Sequence, residues 1–334
     1  MKHCLSLLLL GCLCACTPSP KQDEMTKTSP IERLDPALDA IIASDAVITV
    51  IATGYVWSEG PLWLPAQQRL IFSDVPANTI YQWTAEAGAS VYLSPSGYTD
   101  TIPRGGEPGS NGLTLDAAGN LVLCQHGDRR MARMQAPLDA PKALFTTLAD
   151  GYNGKKFNSP NDAVFDRQGN LYFTDPPYGL LQQDEDPTKE LPFNGVYKVT
   201  PEGAVTLLID SLTRPNGIAF SPDEQYLYVA NSDPARATWY RYTLRDGAIV
   251  EGGIWYDATA LTATEPGLPD GMKVDKNGNV FATGPGGIFV FNLAGKLLGK
   301  IRFAAATSNC ALADDDKTLY VTNHQDIVRV QLRK

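Results

Sequence analysis

A chain of 334 residues that is 43% hydrophobic and 19% charged carries enough apolar side chains for one large core or two smaller ones. Its net charge of -9 at pH 7 speaks against a phosphate-backbone partner, which needs a basic face, and agrees with holding a cation. No nucleic-acid partner is therefore expected.

The chain opens on a short positive start, Met1 to His3, followed by an apolar run from Cys4 to Gly11. That run is too short to span a bilayer as a stable helix and is shaped like a secretory signal. Leu13-Cys14-Ala15-Cys16 resembles the lipobox of bacterial lipoproteins, whose cysteine is acylated after cleavage, and Leu9-Leu10-Gly11-Cys12 is a second candidate. Cys16 is preferred because it leaves the longer apolar core and is followed by Thr17-Pro18-Ser19-Pro20, which reads as tether. The expected organisation is a signal peptide over residues 1–16, a flexible tether over 17–34 and a single domain over 35–334. By the same resemblance, Thr17 after the acylated cysteine implies an exported protein anchored by its lipid in the outer membrane and facing the periplasm. A plain signal peptide with incidental cysteines is the bland alternative.

Asp35 to Ala43 predicts one short helix, with Asp35 as its cap and Pro36 at the first helical position. The β-branched run within 46–52 predicts a strand. From there one pattern recurs six times: EGPLWLPAQQRLIFSDV from Glu59, NGLTLDAAGNLVLCQHG from Asn111, NDAVFDRQGNLYFTDPP from Asn161, NGIAFSPDEQYLYVANS from Asn216, DGMKVDKNGNVFATGPG from Asp270 and NCALADDDKTLYVTNHQ from Asn309. Each copy is an apolar strand, a turn such as Lys276-Asn277-Gly278 and a second strand, followed by further strand-like runs such as Gly195 to Val199 and Val205 to Ile209. Six units of four short strands spell an all-β, six-bladed β-propeller. The shortened last unit is expected to take the early strand at 46–52 as its missing member, which closes the ring and removes an open edge. Cys124 and Cys310 fall in the second and sixth repeats and read as buried free thiols, and the absence of Cys-x-x-Cys leaves no case for structural zinc. Two segments interrupt the rhythm, the glycine-rich Ser96 to Ser110 and the acidic Gly179 to Phe193, and both are candidate lids.

In a propeller the innermost strands line a central tunnel, so the six leading residues converge on one mouth. Carboxylate and amide oxygens without thiolates are the ligand set of a hard divalent cation. The bland reading is that Asn-Gly and Asp-Gly are ordinary turn formers. It suits Asn111 and Asn309 taken singly, but glutamate is a poor turn residue, and Glu59 stands where the other copies carry Asn or Asp.

The runs W-S-E-G-P-L-W from Trp57, S-P-N-D from Ser159, R-P-N-G-I-A-F-S-P-D from Arg214 and L-P-D-G-M-K-V-D from Leu268 together resemble the gluconolactonase and regucalcin family of six-bladed propellers. The resemblance implies one divalent cation, Ca2+ first with Mg2+, Mn2+ or Zn2+ accepted, held by Glu59, Asn216 and Asp270 with Asn161 as the additional site residue. It further implies hydrolysis of a sugar lactone such as D-glucono-1,5-lactone, with Asp270 or cation-bound water starting the attack. His126, in a run similar to bacterial gluconolactonases, is expected near the substrate, with Asn111 and Tyr178 as further substrate contacts. Regucalcin-like members carry an Arg where this chain has Ser159. No Gly-x-Ser-x-Gly elbow supports serine hydrolysis. The competing reading is a non-catalytic propeller lipoprotein that binds a ligand or a protein partner on its face.

Overall fold

The computed structural model describes residues 31–333, so Cys16 and Cys12, the signal peptide and residues 17–30 of the tether lie outside the described residues. Six antiparallel sheets stand around a central axis, one per repeat, five of them four-stranded and the fifth blade five-stranded. The blades open at Ser58, Ser110, Ala163, Pro215, Met272 and Asn309. Among their second strands, Leu121–Gln125, Leu171–Asp175 and Thr318–Asn323 are buried along their whole length. Each is sandwiched between neighbouring blades, which is why these strands read as unbroken apolar runs rather than as alternating ones. The outermost strand of the fourth blade, Ala248–Asp257, is mostly exposed.

The turns joining first to second strands repeat one device. Asp116, Asp166 and Asp275 each accept hydrogen bonds from the backbone and side chain of the Asn four residues on. The carboxylate thereby satisfies turn amides that the sheet leaves free.

Ring closure follows the expected route. Val47–Thr53 pairs antiparallel with Asp326–Gln331 as the outer strand of the sixth blade, Ile48 opposite Val330 and Val50 opposite Val328. The short helix is a 3-10 turn over Pro36–Ala40, capped by Asp35, whose Oδ1 accepts the Ala37 N–H at 2.8 Å. Leu38 and Ile42 are fully buried against Ile288, Val290 and Leu332 from the fifth and sixth blades, each contributing about 1.5–3 kcal/mol through burial. Ile31–Arg33, placed in the tether by composition, forms a fifth strand on the fifth blade, Ile31 opposite Ile301. Arg33 then donates to the carbonyls of Ile42 and Ala43, each at 2.9 Å. Cys124 and Cys310 are buried and free. Among the described residues no helix is long and apolar enough to cross a membrane.

Candidate active site

The six leading residues meet at one end of the tunnel because each blade is stapled to the next beside them. Ser73 Oγ donates to the Asn111 carbonyl at 2.9 Å, Thr174 Oγ1 to that of Asn216 at 2.7 Å, Thr283 Oγ1 to that of Ser308 at 3.0 Å, and Ser308 Oγ to that of Ser58 at 2.6 Å. Each staple is buried and worth about 1 kcal/mol, and together they fix the inner strands against one another. The glycine after a leading residue is there for the same contact rather than for a turn. A Cβ on Gly217 would lie 2.1 Å from the Asp270 carbonyl oxygen, and one on Gly60, at φ +48, 2.1 Å from that of Asn111.

The mouth opens into a cavity of about 320 Å3 lined by Glu59, Asn111, Asn161, Asn216 and Asp270, together with Trp57, Glu107, Tyr178, Ser232 and Thr307. Five leading residues therefore converge as expected. The sixth, Asn309, does not reach the cavity, because its Oδ1 accepts the Cys310 N–H at 2.8 Å and faces Lys273 Nζ at 3.4 Å. Tyr178 is on the wall, its hydroxyl donating to the Ser232 carbonyl at 3.4 Å. His126 is not. It is fully buried behind the wall, with Nδ1 3.5 Å from Glu107 Oε2, one side chain back from the cavity. Of the two candidate lids, the glycine-rich segment supplies Glu107, while the acidic one packs behind the wall, tied by Arg129, which donates to the Thr188 carbonyl at 2.9 Å.

Ser232 sets the orientation of a neighbour. Its hydroxyl donates to the Pro269 carbonyl at 2.7 Å and lies 3.4 Å from Asn216 Nδ2. With its proton committed, Ser232 Oγ accepts from Asn216, which turns the amide oxygen of Asn216 away from it. Trp57 orients Glu59 in the same manner, donating from Nε1 to Oε1 at 3.3 Å, while the Gly60 N–H reaches Oε2 at 3.2 Å. The Trp57 ring is backed edge to face by His324, with centroids 5.6 Å apart.

Neither Ser232 nor Glu107 stood out in the sequence. Ser232 carries no chemistry of its own, and Glu107 sits in an insertion without a counterpart in other repeats.

Electrostatically the mouth is under tension. Burial and then the charge of Asp162 push the Glu59 carboxyl well above the usual carboxylate range, and burial and then Glu59 push the Asp270 carboxyl well above it too. Two carboxyls crowded together at a buried site do not both stay ionised without a compensating positive charge. The oxygens Asn111 Oδ1, Asn216 Oδ1 and Asp270 Oδ1 are buried there without a hydrogen-bond partner. Orphaned oxygens facing a shared cavity beside two carboxylates fit a hard cation. Among the described residues no three His, Cys, Asp or Glu side chains group as a metal centre, so such an ion depends on the amides as much as on the acids. A larger groove, about 470 Å3, lies between the third and fourth blades at the far end of the strands. Two of its acidic side chains, Asp166 and Asp223, are engaged by their own turns.

Fold and site together define a class of six-bladed propeller with a carboxylate and amide cluster at the tunnel mouth. Within that class the chain belongs to the family described as SMP-30/Gluconolactonase/LRE-like region, whose model matches residues 57–325. It is 40% identical over 310 residues to a gluconolactonase of Zymomonas mobilis, covering 91% of this chain and 86% of the relative. It is 25% identical over 280 residues to a pentonolactonase of Haloferax volcanii, covering 83% and 84%. Among solved structures, a gluconolactonase from Xanthomonas campestris superposes with a TM-score of 0.80 at 30% identity, covering 96% of this chain and all of that one. A calcium-binding regucalcin from Agrobacterium tumefaciens shares the fold, with a TM-score of 0.64 at 18% identity over 85% of this chain and 94% of that one.

Proposed function

We propose that this protein hydrolyses a sugar lactone, D-glucono-1,5-lactone or a close analogue, to the aldonic acid, and that a divalent cation, Ca2+ in the first place, sits at the tunnel mouth. The observation that carries the reading is the meeting of Glu59 and Asp270 with the unpartnered amide oxygens of Asn111 and Asn216 in one cavity. Similarity to enzymes named for gluconolactone and pentonolactone supports the substrate class. A cavity of about 320 Å3 is at the small end for ligand pockets and suits a single sugar ring.

Glu59, Asn216 and Asp270 would hold the ion, with Asn161 as the additional ligand. When bound, the ion would polarise the lactone carbonyl and stabilise negative charge developing on its oxygen. Asp270 would take the proton of the water adding to the carbonyl carbon and return it to the ring oxygen as the ring C–O bond opens. Trp57 and Ser232 keep Glu59 and Asn216 in register while this happens, and Asn111 and Tyr178 contact the ring. Burial of Glu59, 3% exposed, lowers the local dielectric, which strengthens its part in these interactions.

Titration of the acid released from glucono-1,5-lactone by purified protein, before and after chelation, tests the reading. Turnover that is lost on chelation and restored by Ca2+ is expected. Absence of cation-dependent turnover with any sugar or aliphatic lactone would overturn it in favour of a binding module. We further propose the lipid anchor at Cys16 and a periplasm-facing location. Incorporation of labelled palmitate that is abolished by Cys16→Ser tests the anchor, and persistence of label in that variant would move the site to Cys12.

A further inference from the structure

We infer that Glu107 is the residue that recognises the ring hydroxyls of the substrate, and that His126 is the positioning residue that holds its carboxylate in place. This inference rests on the lactonase reading of the same cavity.

Three carboxylates line the cavity, and Glu107 differs from the other two. Glu59 is buried on an inner strand and Asp270 lies two residues before one, whereas Glu107 arrives on the glycine-rich insertion with its side chain 33% exposed, at the rim. Its backbone is nevertheless preset. The Gly109 N–H donates to the Val75 carbonyl at 2.8 Å, the His126 N–H to that of Gly109 at 3.2 Å and the Gly127 N–H to that of Pro108 at 3.1 Å. A side chain longer than hydrogen does not fit at Gly127, where a Cβ would meet Tyr98 Cβ at 2.4 Å. The loop that carries Glu107 is therefore laid directly onto the strand end that carries His126.

His126 is fully buried, and both of its ring nitrogens lack a hydrogen-bond partner. Each unmet nitrogen costs about 1–3 kcal/mol, and a residue that only filled space would not carry that cost. Nδ1 lies 3.5 Å from Glu107 Oε2, so a small movement of the carboxylate completes a hydrogen bond between the two side chains. The imidazole itself has little freedom, since Gly179 is pressed so close that a Cβ there would lie 2.8 Å from His126 Cβ and 2.7 Å from Ser159 Cβ. Arg104 bridges the arrangement, donating to the Gly127 carbonyl at 3.1 Å and also to that of Gly179.

A third carboxylate adds to the repulsion already felt by Glu59 and Asp270. What offsets it is a ligand rich in donors. A carboxylate accepts from two neighbouring hydroxyls of a sugar ring at once, and an unsubstituted lactone offers none. The pair thus separates sugar lactones from plain cyclic esters, and truncating it leaves substrate hydroxyls facing an acceptor that is missing or misplaced.

The test compares glucono-1,5-lactone with δ-valerolactone in the wild type, Glu107→Gln and His126→Phe, all loaded with Ca2+. The preference for the sugar lactone, as a ratio of kcat/KM values, is expected to fall at least tenfold in Glu107→Gln, mainly through KM, as loss of a charge-assisted hydrogen bond predicts. A smaller fall in the same direction is expected in His126→Phe, with a melting temperature no lower than wild type. Calorimetric binding of 1,5-anhydroglucitol, a ring with the same hydroxyls and no ester, is expected to weaken in both variants. That readout keeps the inference apart from the lactonase reading, because it stands even if no lactone turns over. Parallel loss on both lactones, a fall in Ca2+ affinity in Glu107→Gln, or unaltered binding of the polyol would each overturn the assignment.

Discussion

Replacing Ser232 by Ala isolates how the mouth is organised, because it alters no group expected to touch ion or substrate. The hydroxyl makes two contacts, donating to the Pro269 carbonyl at 2.7 Å and accepting from Asn216 Nδ2 at 3.4 Å. Losing the first removes a buried hydrogen bond next to Asp270 and costs about 1 kcal/mol of stability. Losing the second releases the Asn216 amide to rotate, so that its oxygen is no longer held toward the cavity. Removing such outer partners of a metal ligand lowers metal affinity by about 10- to 100-fold, and the length of the 3.4 Å contact places this one near the lower figure. The assay is a calorimetric Ca2+ titration of wild type, Ser232→Ala and Ser232→Thr, with melting temperature measured alongside. Affinity should fall in the alanine variant and recover largely in threonine, which keeps the hydroxyl. Wild-type affinity in Ser232→Ala, accompanied by a lowered melting temperature, would refute the reasoning, since the hydrogen bond would then be structural alone.

Glu59→Gln and Asp270→Asn should lose nearly all activity while the ion-free proteins melt above wild type, because burial and mutual repulsion raise both carboxyls and removing either relieves the pair; near-normal turnover in one variant removes that residue's assignment. Ca2+ at about 100 times its dissociation constant should stabilise the wild type by about 2.7 kcal/mol, measured as a melting shift, and Asp270→Asn should lose this gain. Gly217→Ala should cost about 1–3 kcal/mol from overpacking and lower activity further than its denaturation midpoint implies, because its Cβ would lie 2.1 Å from the Asp270 carbonyl oxygen; wild-type kcat/KM would contradict this. Burial raises the Asp175 carboxyl to about 7 even though the Asn158 and Ser159 N–H groups and Arg129 favour its charged form. A carboxyl whose folded pKa exceeds its unfolded value binds protons more tightly when folded, so its contribution to stability is present at low pH and is lost as pH rises from about 4 through about 7. Asp175→Asn should flatten urea midpoints across that range, and an unaltered slope would place the titration elsewhere.

The repeats and the column of leading residues were legible because both follow from local chemistry. Strand, turn and strand signals are written within seventeen residues or so in each copy, and ring geometry alone then brings equivalent positions together. A second column was also legible, though less conspicuous. Ser73, Thr174 and Thr283 hold matching places in the second strands, where a hydroxyl inside an apolar run asks for a partner, and they prove to be the staples between blades. Ile31–Arg33 gave no comparable signal, since three residues show no period and their partner strand begins at Leu297. Glu107 was hidden for a related reason, because tertiary ties of its loop, such as Gly109 to Val75 and Pro108–Gly109 to the His126–Gly127 backbone, bring an insertion onto the cavity wall.

What separates the two groups is whether a residue obeys or violates its local preferences. Leu121 or Val280 sits where hydrophobicity sends it, and its neighbours explain it completely. Glu59 does not: a glutamate that is 3% exposed, at a position where Asn is the common choice, is a cost that folding alone has no reason to bear. Asp270, raised by burial and by Glu59, compounds that cost, and His126 adds two unmet nitrogens beside them. Stability lost in three places around one cavity is best accounted for by ligands that return it on binding, a cation for the two acids and hydroxyls for Glu107 with its histidine. The melting experiments above therefore bear on function directly, since in this mouth the substitutions that abolish activity should also be those that stabilise the empty protein.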